Sequence, residues 1–115
     1  MEGKGSETMS FAMGTPLLDG CVLAVLAEED TYGYALTQRV KGVLDISEST
    51  LYPILRRLQK EGCLTVYDRP YQGRNRRYYA ITYTGQERLE QARREWESFQ
   101  NGVETLLMKG EAEHG

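Results

Sequence analysis

Residues 47–62, SESTLYPILRRLQKEG, and residues 63–82, CLTVYDRPYQGRNRRYYAIT, decide the fold of this 115-residue chain. The first stretch opens with helix-capping residues, carries apolar residues at helical spacing and ends at Gly62, which predicts a helix. The second contains two short β-like runs, 63–67 and 76–82, with turn-forming residues between them. We therefore expect a helix followed by a hairpin with a long, basic tip.

Two more helices are predicted before this stretch. Apolar residues between Leu17 and Leu26 recur at helical spacing, and Pro16 suits a first helical turn. Asp30 or Thr31 can cap a second helix that ends near Gly42. Three helices and a hairpin predict a fold that is mainly α with a small β-hairpin, a winged helix-turn-helix.

A long last helix is expected after the hairpin, capped by Thr82 or Thr84. Its apolar residues recur in steps of three and four, which is the spacing of a heptad seam. These residues are Leu89, Ala92, Trp96, Phe99, Val103 and Leu106. A helix over residues 83–108 would be about 39 Å long, too long for its own small domain to cover.

Pairing with a second copy by two-fold symmetry would cover this apolar seam. The predicted dimer interface consists of Leu89, Trp96, Phe99, Val103 and Leu106. The alternative is that the seam folds back on its own domain. The whole chain is then expected to have a flexible arm (1–14), a winged helix-turn-helix (15–82), a dimerisation helix (83–108) and a flexible tail (109–115).

The basic charge of the chain is concentrated in one segment. Between residues 56 and 79 there are seven Arg and Lys residues against two acidic ones, although the net charge of the chain is −3. A concentrated basic segment on an acidic body is typical of a surface that meets a polyanion in one orientation. A charge run alone is more often only a solvated face, so duplex DNA becomes the expected partner only together with the motifs below.

The composition argues against several other classes. The one histidine is His114, so neither a catalytic triad nor a zinc site is expected. No glycine-rich phosphate loop occurs, and neither an enzyme nor a cofactor is predicted. Cys21 and Cys63 are expected as reduced, buried thiols, with a disulfide as the alternative. The absence of a long apolar run or signal-peptide pattern predicts a cytoplasmic protein that makes no membrane contact.

The third helix offers the side chains that a DNA major groove requires. Short hydroxyl groups lie at its start, and Ser47 or Ser49 can alternatively serve only as its cap. Tyr52 can reach a phosphate or a base edge, and Arg56 can reach the DNA backbone. In the hairpin, Gly73 permits a tight turn, while Arg74 and Arg76 can hold phosphates or enter the minor groove.

The hairpin also places arginines beside tyrosines. On alternating strand positions Arg77 and Tyr79 share one face, and Arg76 and Tyr78 share the other. Because one face must meet the core, we expect Tyr79 to have a structural role.

These motifs resemble those of the PadR family of transcriptional regulators, in its compact form with a single C-terminal helix. The resemblance rests on TYGYAL at 31–36, STLYPILRRL at 49–58, Glu61-Gly62, Gly73-Arg74, RYY at 77–79, and Ile81-Thr82 with Gly85. It implies a homodimeric winged-helix repressor with a roughly palindromic operator. The DNA-contacting positions that it implies are Ser49, Thr50, Tyr52, Arg56, Gly73, Arg74 and Arg77. Ser49 and Gln59 depart from the usual family residues, so the base preference can differ.

The resemblance also suggests a small-molecule site. Some compact members bind flat aromatic compounds between the terminal helices of the dimer through a tryptophan, and Trp96 is at the matching position. Phe99 and the small Ala92 would complete such a cavity. The alternative is that Trp96 only packs the seam. For the whole protein, the alternative to DNA binding is a winged helix that contacts another protein.

Overall fold

The computed structural model describes residues 15–114, with side chains from residue 16 to residue 109. The predicted N-terminal arm, residues 1–14, lies outside the described residues. The elements in chain order are α1 (Thr15–Glu28), β1 (Thr31–Tyr32), α2 (Gly33–Lys41), α3 (Glu48–Lys60), β2 (Leu64–Tyr71), β3 (Arg74–Ile81) and α4 (Tyr83–His114).

The sheet has three antiparallel strands in the order β1-β3-β2. Its short strand β1 differs from the prediction, which placed a helix cap at Asp30 or Thr31. Thr31 instead pairs with Tyr79 of β3, and its hydroxyl donates to the Glu29 carbonyl at 2.9 Å. Tyr32 is the N-cap of α2 and provides no side-chain cap bond. The pairing is possible because the far edge of β3 is open to a third strand.

The hairpin is longer and its turn tighter than predicted. Strands β2 and β3 remain paired from Leu64 with Ile81 to Tyr71 with Arg74. The turn is only Gln72 and Gly73, both at positive φ (50° and 80°), which is the backbone of a type I′ hairpin turn. The predicted long tip was therefore wrong: Pro70 is tolerated inside β2 because β2 is an edge strand.

Helix α3 starts at the predicted cap cluster. The Ser47 hydroxyl accepts a hydrogen bond from the Thr50 N–H at 3.2 Å, so Ser47 is the cap and Ser49 is not. The buried face of α3 consists of Leu51, Leu55 and Leu58. These side chains join apolar residues of every other helix and of the sheet in one core, with Leu23 of α1 fully buried at its centre.

Helix α4 begins just after the hairpin of strands β2 and β3, which is called the wing from here on. Thr82 is the cap of α4. The Gly85 N–H donates to the Thr82 hydroxyl at 3.0 Å, and that hydroxyl donates to the Gly62 carbonyl at 2.6 Å. The helix continues to His114, beyond the predicted end at Met108. Alanine and glutamate in that last segment favour helix. The division into functional parts remains a prediction.

The structure divides the predicted seam of α4 into two parts. Leu89 and Ala92 are buried in their own domain, because Gly20 of α1 lets the two helices approach closely. A Cβ atom built on Gly20 would lie 2.5 Å from the Ala92 Cβ. Trp96, which follows, is 43% exposed. The fold-back alternative thus holds for the first turns of α4, and Leu89, predicted in the dimer interface, belongs to the core of its own chain.

Candidate nucleic-acid interface

The exposed side of α3 carries the predicted recognition residues. Ser49, Thr50, Tyr52 and Arg56 are all exposed, opposite the buried leucines. Ser49 and Thr50 each form a side-chain hydrogen bond with the Ser47 hydroxyl, at 2.9 and 3.1 Å. Three linked hydroxyl groups therefore lie at the helix N-terminus, where N–H groups and the helix dipole favour a phosphate.

The inner face of the wing adjoins this helix. Tyr79 packs against the core, as expected for a structural residue, and it lies beside Tyr52. A Cβ atom built on Gly33 would contact both rings, at 3.4 Å from Tyr79 and 4.0 Å from Tyr52. Burial raises the pKa of Tyr79, and nearby Arg77 and Arg56 oppose that shift. Both arginines are therefore within electrostatic range of Tyr79, and Arg77 shares with Tyr79 the face of the strand that adjoins α3.

Gly33 was not singled out from the sequence as an interface residue. It lies in the TYGYAL motif, which gives no indication of the rings that the glycine meets. Because the two tyrosines come from α3 and β3, their shared contact with Gly33 depends on tertiary packing that local patterns do not contain.

The outer face of the wing carries the remaining predicted arginines. Arg76 is stacked between two tyrosine rings, with its guanidinium carbon 3.8 Å from the Tyr32 ring centre and 3.6 Å from that of Tyr71. Arg74 shares this face, since it is two residues from Arg76 in the same strand. Gly73 lies in the turn that joins β2 and β3 and belongs to neither face. The predicted wing residues thus divide into Arg77 on the inner side and Arg74 and Arg76 on the outer side.

More tyrosines lie along the same outer face. The rings of Tyr67 and Tyr78 are stacked with centres 5.6 Å apart, and Arg69 lies over the Tyr78 ring at 4.6 Å. The Tyr67 hydroxyl donates to Asp30 at 2.6 Å, and this hydrogen bond is the main cause of the raised pKa of Tyr67. Stacking of arginine on tyrosine therefore stiffens the wing over most of its length.

One basic residue of α3 does not contribute to the interface. Arg57 forms two hydrogen bonds to the buried carboxylate of Asp19, at 2.6 and 3.1 Å. Arg88 of α4 also approaches Asp19, at 3.5 Å, and pairs with Glu61 at 3.0 Å. The Arg88 hydrogen bond lowers the pKa of Glu61, and the bond to Asp19 raises the pKa of Arg57. This network ties α1, α3 and α4 together and neutralises part of the predicted basic segment.

The outer part of α4 presents an apolar face. The rings of Trp96 and Phe99 are 6.2 Å apart, and Val103 and Leu106 are exposed further along. A shallow depression of about 280 Å³ runs beside Trp96, Phe99 and Val103. Ala92, the third residue predicted for a small-molecule site, faces Gly20 and not this depression.

Within the part of the chain that the structure describes, no helix is long and apolar enough to cross a bilayer. No group of three or more potential metal ligands occurs among those residues either. What the fold does provide is a helix-turn-helix whose second helix exposes hydroxyl and basic side chains, beside a hairpin with arginines on both faces. These features define a winged helix-turn-helix regulator that binds DNA.

Comparisons with known proteins give the same class. Residues 22–91 match the model of the Transcriptional regulator PadR-like family. A transcriptional regulator of Mycobacterium tuberculosis is 35% identical over 83 residues, which cover 71% of this chain and 78% of that protein. The chain belongs to the PadR-like family of transcriptional regulators, whose members are regulators and not enzymes.

Solved structures agree with this assignment. A PadR-like transcriptional regulator of Bacillus cereus is 35% identical, covers 83% of this chain and 95% of its own, and has a TM-score of 0.73. A protein of Streptococcus mutans is 36% identical, with coverage of 83% and 90% and a TM-score of 0.77. The winged-helix fold with a long C-terminal helix is therefore confirmed.

Proposed function

We propose that this protein is a homodimeric repressor that binds a roughly palindromic operator in duplex DNA. The observation that carries the proposal is geometric: Tyr52 and Arg56 of α3 and Arg77 of the wing are all exposed, and Tyr79, on the same strand face as Arg77, lies beside Tyr52. A helix and a hairpin that expose polar and basic groups on the same side fit adjacent grooves of one duplex.

In this proposal the N-terminal half of α3 enters the major groove. Ser49, Thr50 and Tyr52 contact base edges or nearby phosphates, and Arg56 binds the backbone. The wing contributes Gly73, Arg74, Arg76 and Arg77, with Gly73 letting the turn approach the minor groove closely. The helix then determines sequence preference, and the wing contributes most of the affinity. A protein of this function works in the cytoplasm, where the bacterial chromosome is accessible.

The dimer in this proposal forms through the outer part of α4. Trp96, Phe99, Val103 and Leu106 continue at heptad spacing beyond the buried Leu89 and Ala92, and a second copy would cover them. Two copies would present two α3 helices to the two halves of an operator. A flat aromatic effector is proposed at Trp96 and Phe99 between the paired helices, without Ala92, because Ala92 packs against α1.

The first test is a selection of bound sequences from random duplex DNA, followed by anisotropy titrations of the selected duplex at increasing salt. Log affinity should fall linearly with log salt, with a slope of about −0.9 per phosphate neutralised. Arg74→Ala should weaken binding to selected and random duplexes alike, whereas Ser49→Ala and Tyr52→Phe should change the selected sequence.

Arg93→Ala serves as a matched control, because Arg93 lies on α4, outside the helix and the hairpin proposed to contact DNA, and pairs with Glu90. It should leave both affinity and sequence preference unchanged. Absence of duplex binding, or binding that does not respond to salt, would contradict the proposal and favour a winged helix that contacts another protein.

A further inference from the structure

The wing is anchored in the core at its base, and its outer half is a ribbon of two strands. Leu64 of the first hairpin pair belongs to the core, and its partner Ile81 packs against it. Strand β1 pairs with two residues of β3, Tyr78 and Tyr79. Beyond that row, residues 68–77 form the two-stranded ribbon that carries the three wing arginines proposed to contact DNA. Two strands alone twist and bend easily, so the direction of the ribbon depends on its ties to the body of the molecule.

One such tie is a hydrogen bond that crosses the sheet at its last row of three strands. Tyr67 of β2 pairs with Tyr78 of the central strand, and Tyr78 pairs with Tyr32 of β1. The Tyr67 hydroxyl donates to the Asp30 carboxylate at 2.6 Å, and Asp30 comes just before β1. Because β1 and β2 are the two edges of the sheet, this hydrogen bond joins one edge to the other where the ribbon begins.

The Tyr67 hydroxyl also connects Asp30 with the ribbon itself. Its oxygen accepts a hydrogen bond from Arg69 at 3.4 Å, so a polar chain runs from Arg69 through Tyr67 to Asp30. Charge at both ends strengthens hydrogen bonds in such a chain. The stack of Arg76 on Tyr32 also ties the ribbon to β1, but it uses an arginine that is itself proposed to bind DNA. The contact with Asp30 leaves every arginine proposed for DNA available.

The charge of Asp30 has the wrong sign for a residue next to a DNA-binding wing. Asp30 was a candidate helix cap in the sequence, but Tyr32 is the N-cap of α2. It follows Glu28 and Glu29 and, like both, is exposed. Its negative charge alone opposes the approach of a polyanion. Any benefit of Asp30 for DNA binding must therefore come from the contact that it makes with Tyr67.

We propose that Asp30 is a positioning residue for DNA binding: through Tyr67 it fixes the direction of the ribbon, so that the wing reaches the DNA backbone while α3 occupies the major groove. The inference rests on the proposed DNA-binding function and adds a residue that does not itself touch DNA. Without this hydrogen bond the ribbon adopts a range of directions, and only a fraction of them permits both contacts at once. The apparent affinity falls in proportion to that fraction.

The test compares Asp30→Ala with Glu29→Ala in the full chain, by anisotropy titration of the selected duplex. Both variants lose one carboxylate at neighbouring exposed positions, so charge repulsion alone predicts the same effect for both. Glu29→Ala should bind as the parent does or up to about twofold more tightly, since exposed charges are screened. Asp30→Ala should bind about fivefold more weakly per protomer, which is at the low end for a hydrogen bond to a charged group because Asp30 is exposed.

The salt dependence separates positioning from direct contact. The slope of log affinity against log salt should be the same for Asp30→Ala and the parent, because the wing arginines neutralise the same phosphates once the complex forms. Arg74→Ala, which removes a proposed phosphate contact, should lower that slope.

Two further variants examine the partner of Asp30. Tyr67→Phe keeps the ring stacked on Tyr78 and removes the hydroxyl, so it should weaken binding as much as Asp30→Ala. The double variant should bind no more weakly than either single variant. Asp30→Asn keeps an acceptor oxygen and should bind more tightly than Asp30→Ala. In the free proteins, hydrogen exchange of residues 68–77 should be faster in Asp30→Ala and Tyr67→Phe than in the parent, with the core unchanged.

Several results would overturn the inference. If Asp30→Ala binds as tightly as Glu29→Ala, the Asp30 carboxylate acts only as a charge. If Tyr67→Phe binds as the parent does, Asp30 does not act through the wing. If the core of Asp30→Ala exchanges as fast as the ribbon, the residue acts on folding alone. If the parent binds no duplex, the proposed function fails and the role of Asp30 with it, a result distinct from the other three.

Discussion

Asp19 shows at the scale of one residue how the recognition helix is oriented. Its carboxylate is almost fully buried and accepts two hydrogen bonds from Arg57 of α3. The same carboxylate lies 3.5 Å from Arg88 of α4. A buried carboxylate that is hydrogen-bonded on both oxygens fixes its partners in place. The position of α3 relative to α4 therefore depends on this residue.

Replacing Asp19 by alanine should destabilise the fold clearly. Arg57 would lose its buried partner, and the expected cost is about 2–3 kcal/mol, at the low end for a buried ion pair because the arginine is partly exposed. Urea unfolding at one fixed protein concentration measures this change. Glu28→Ala is the matched control: it breaks an exposed pair with Arg39 at 3.2 Å and should cost less than about 0.5 kcal/mol. Equal midpoints for the two variants would contradict the role of Asp19.

The sequence could not separate Arg57 from its neighbour Arg56. Both belong to one basic run, and the partner of Arg57 lies 38 positions away along the chain. Strand alternation did place Arg76 and Arg77 on opposite faces, because that property is local. The tyrosine partners of Arg76 depended on strand register and on the unforeseen strand β1, so they became visible only in the structure.

At the scale of elements, the junction between the wing and α4 is closely packed. A Cβ atom built on Gly85 would lie 2.8 Å from the Ile81 side chain and 3.0 Å from the Cys63 carbonyl carbon, and closer still to the carbonyl oxygen. The Cys63 backbone cannot move aside without shifting strand β2, which begins at the next residue. Gly85 therefore lets the first turn of α4 pack directly on the chain that leaves α3.

Gly85→Ala should lower the free energy of unfolding by about 3 kcal/mol, since the added methyl group overpacks a rigid site. Gly102→Ala makes the same substitution in the same helix, where nothing lies within 4 Å of the added atom. That control should stabilise the helix by up to about 1 kcal/mol. Thermal and urea unfolding of both variants would reveal the expected opposite signs. A stable Gly85→Ala protein would show that the junction can relax.

Element types were predictable where periodicity was strong, and boundaries were not. The three helices and the hairpin followed from apolar spacing and caps, and Ser47 and Thr82 were among the predicted caps. The prediction of a long hairpin tip was wrong because Asp68 and Pro70 were interpreted as turn residues, although an edge strand accepts both. Strand β1 has only two residues, too few to show any alternation.

At the scale of the whole molecule, α4 extends beyond the winged-helix body. The molecule measures 64 × 34 × 24 Å, and the 32-residue α4 accounts for about 48 Å of helix. Leu89 and Ala92 attach its first turns to α1, while the seam continues outward at the same spacing. The heptad pattern was visible in the sequence, but the burial of Leu89 and Ala92 in their own chain depends on the close approach of α4 to Gly20 of α1.

Because the first turns of α4 are buried in their own chain and its outer part is exposed, a substitution in the outer part should separate the proposed dimer without unfolding the protomer. Leu106 is 75% exposed, so Leu106→Glu should leave the single chain stable while placing a charge in the paired seam. Sedimentation should give the protomer mass of 13.1 kDa for the variant and twice that mass for the parent. Because two half-sites would no longer be bound together, affinity for the selected palindrome should fall by about 100-fold.

Ser98→Glu provides the control for the Leu106 variant. Ser98 is exposed on α4 and lies on the side of the helix away from the seam, so the same charge there should leave the dimer intact. Trp96 is the single tryptophan of the chain, and its emission should move to longer wavelength in Leu106→Glu alone as the ring gains solvent. If both variants remain dimers with unchanged emission, the outer part of α4 is not the dimer interface. The two protomers must then be joined through another surface.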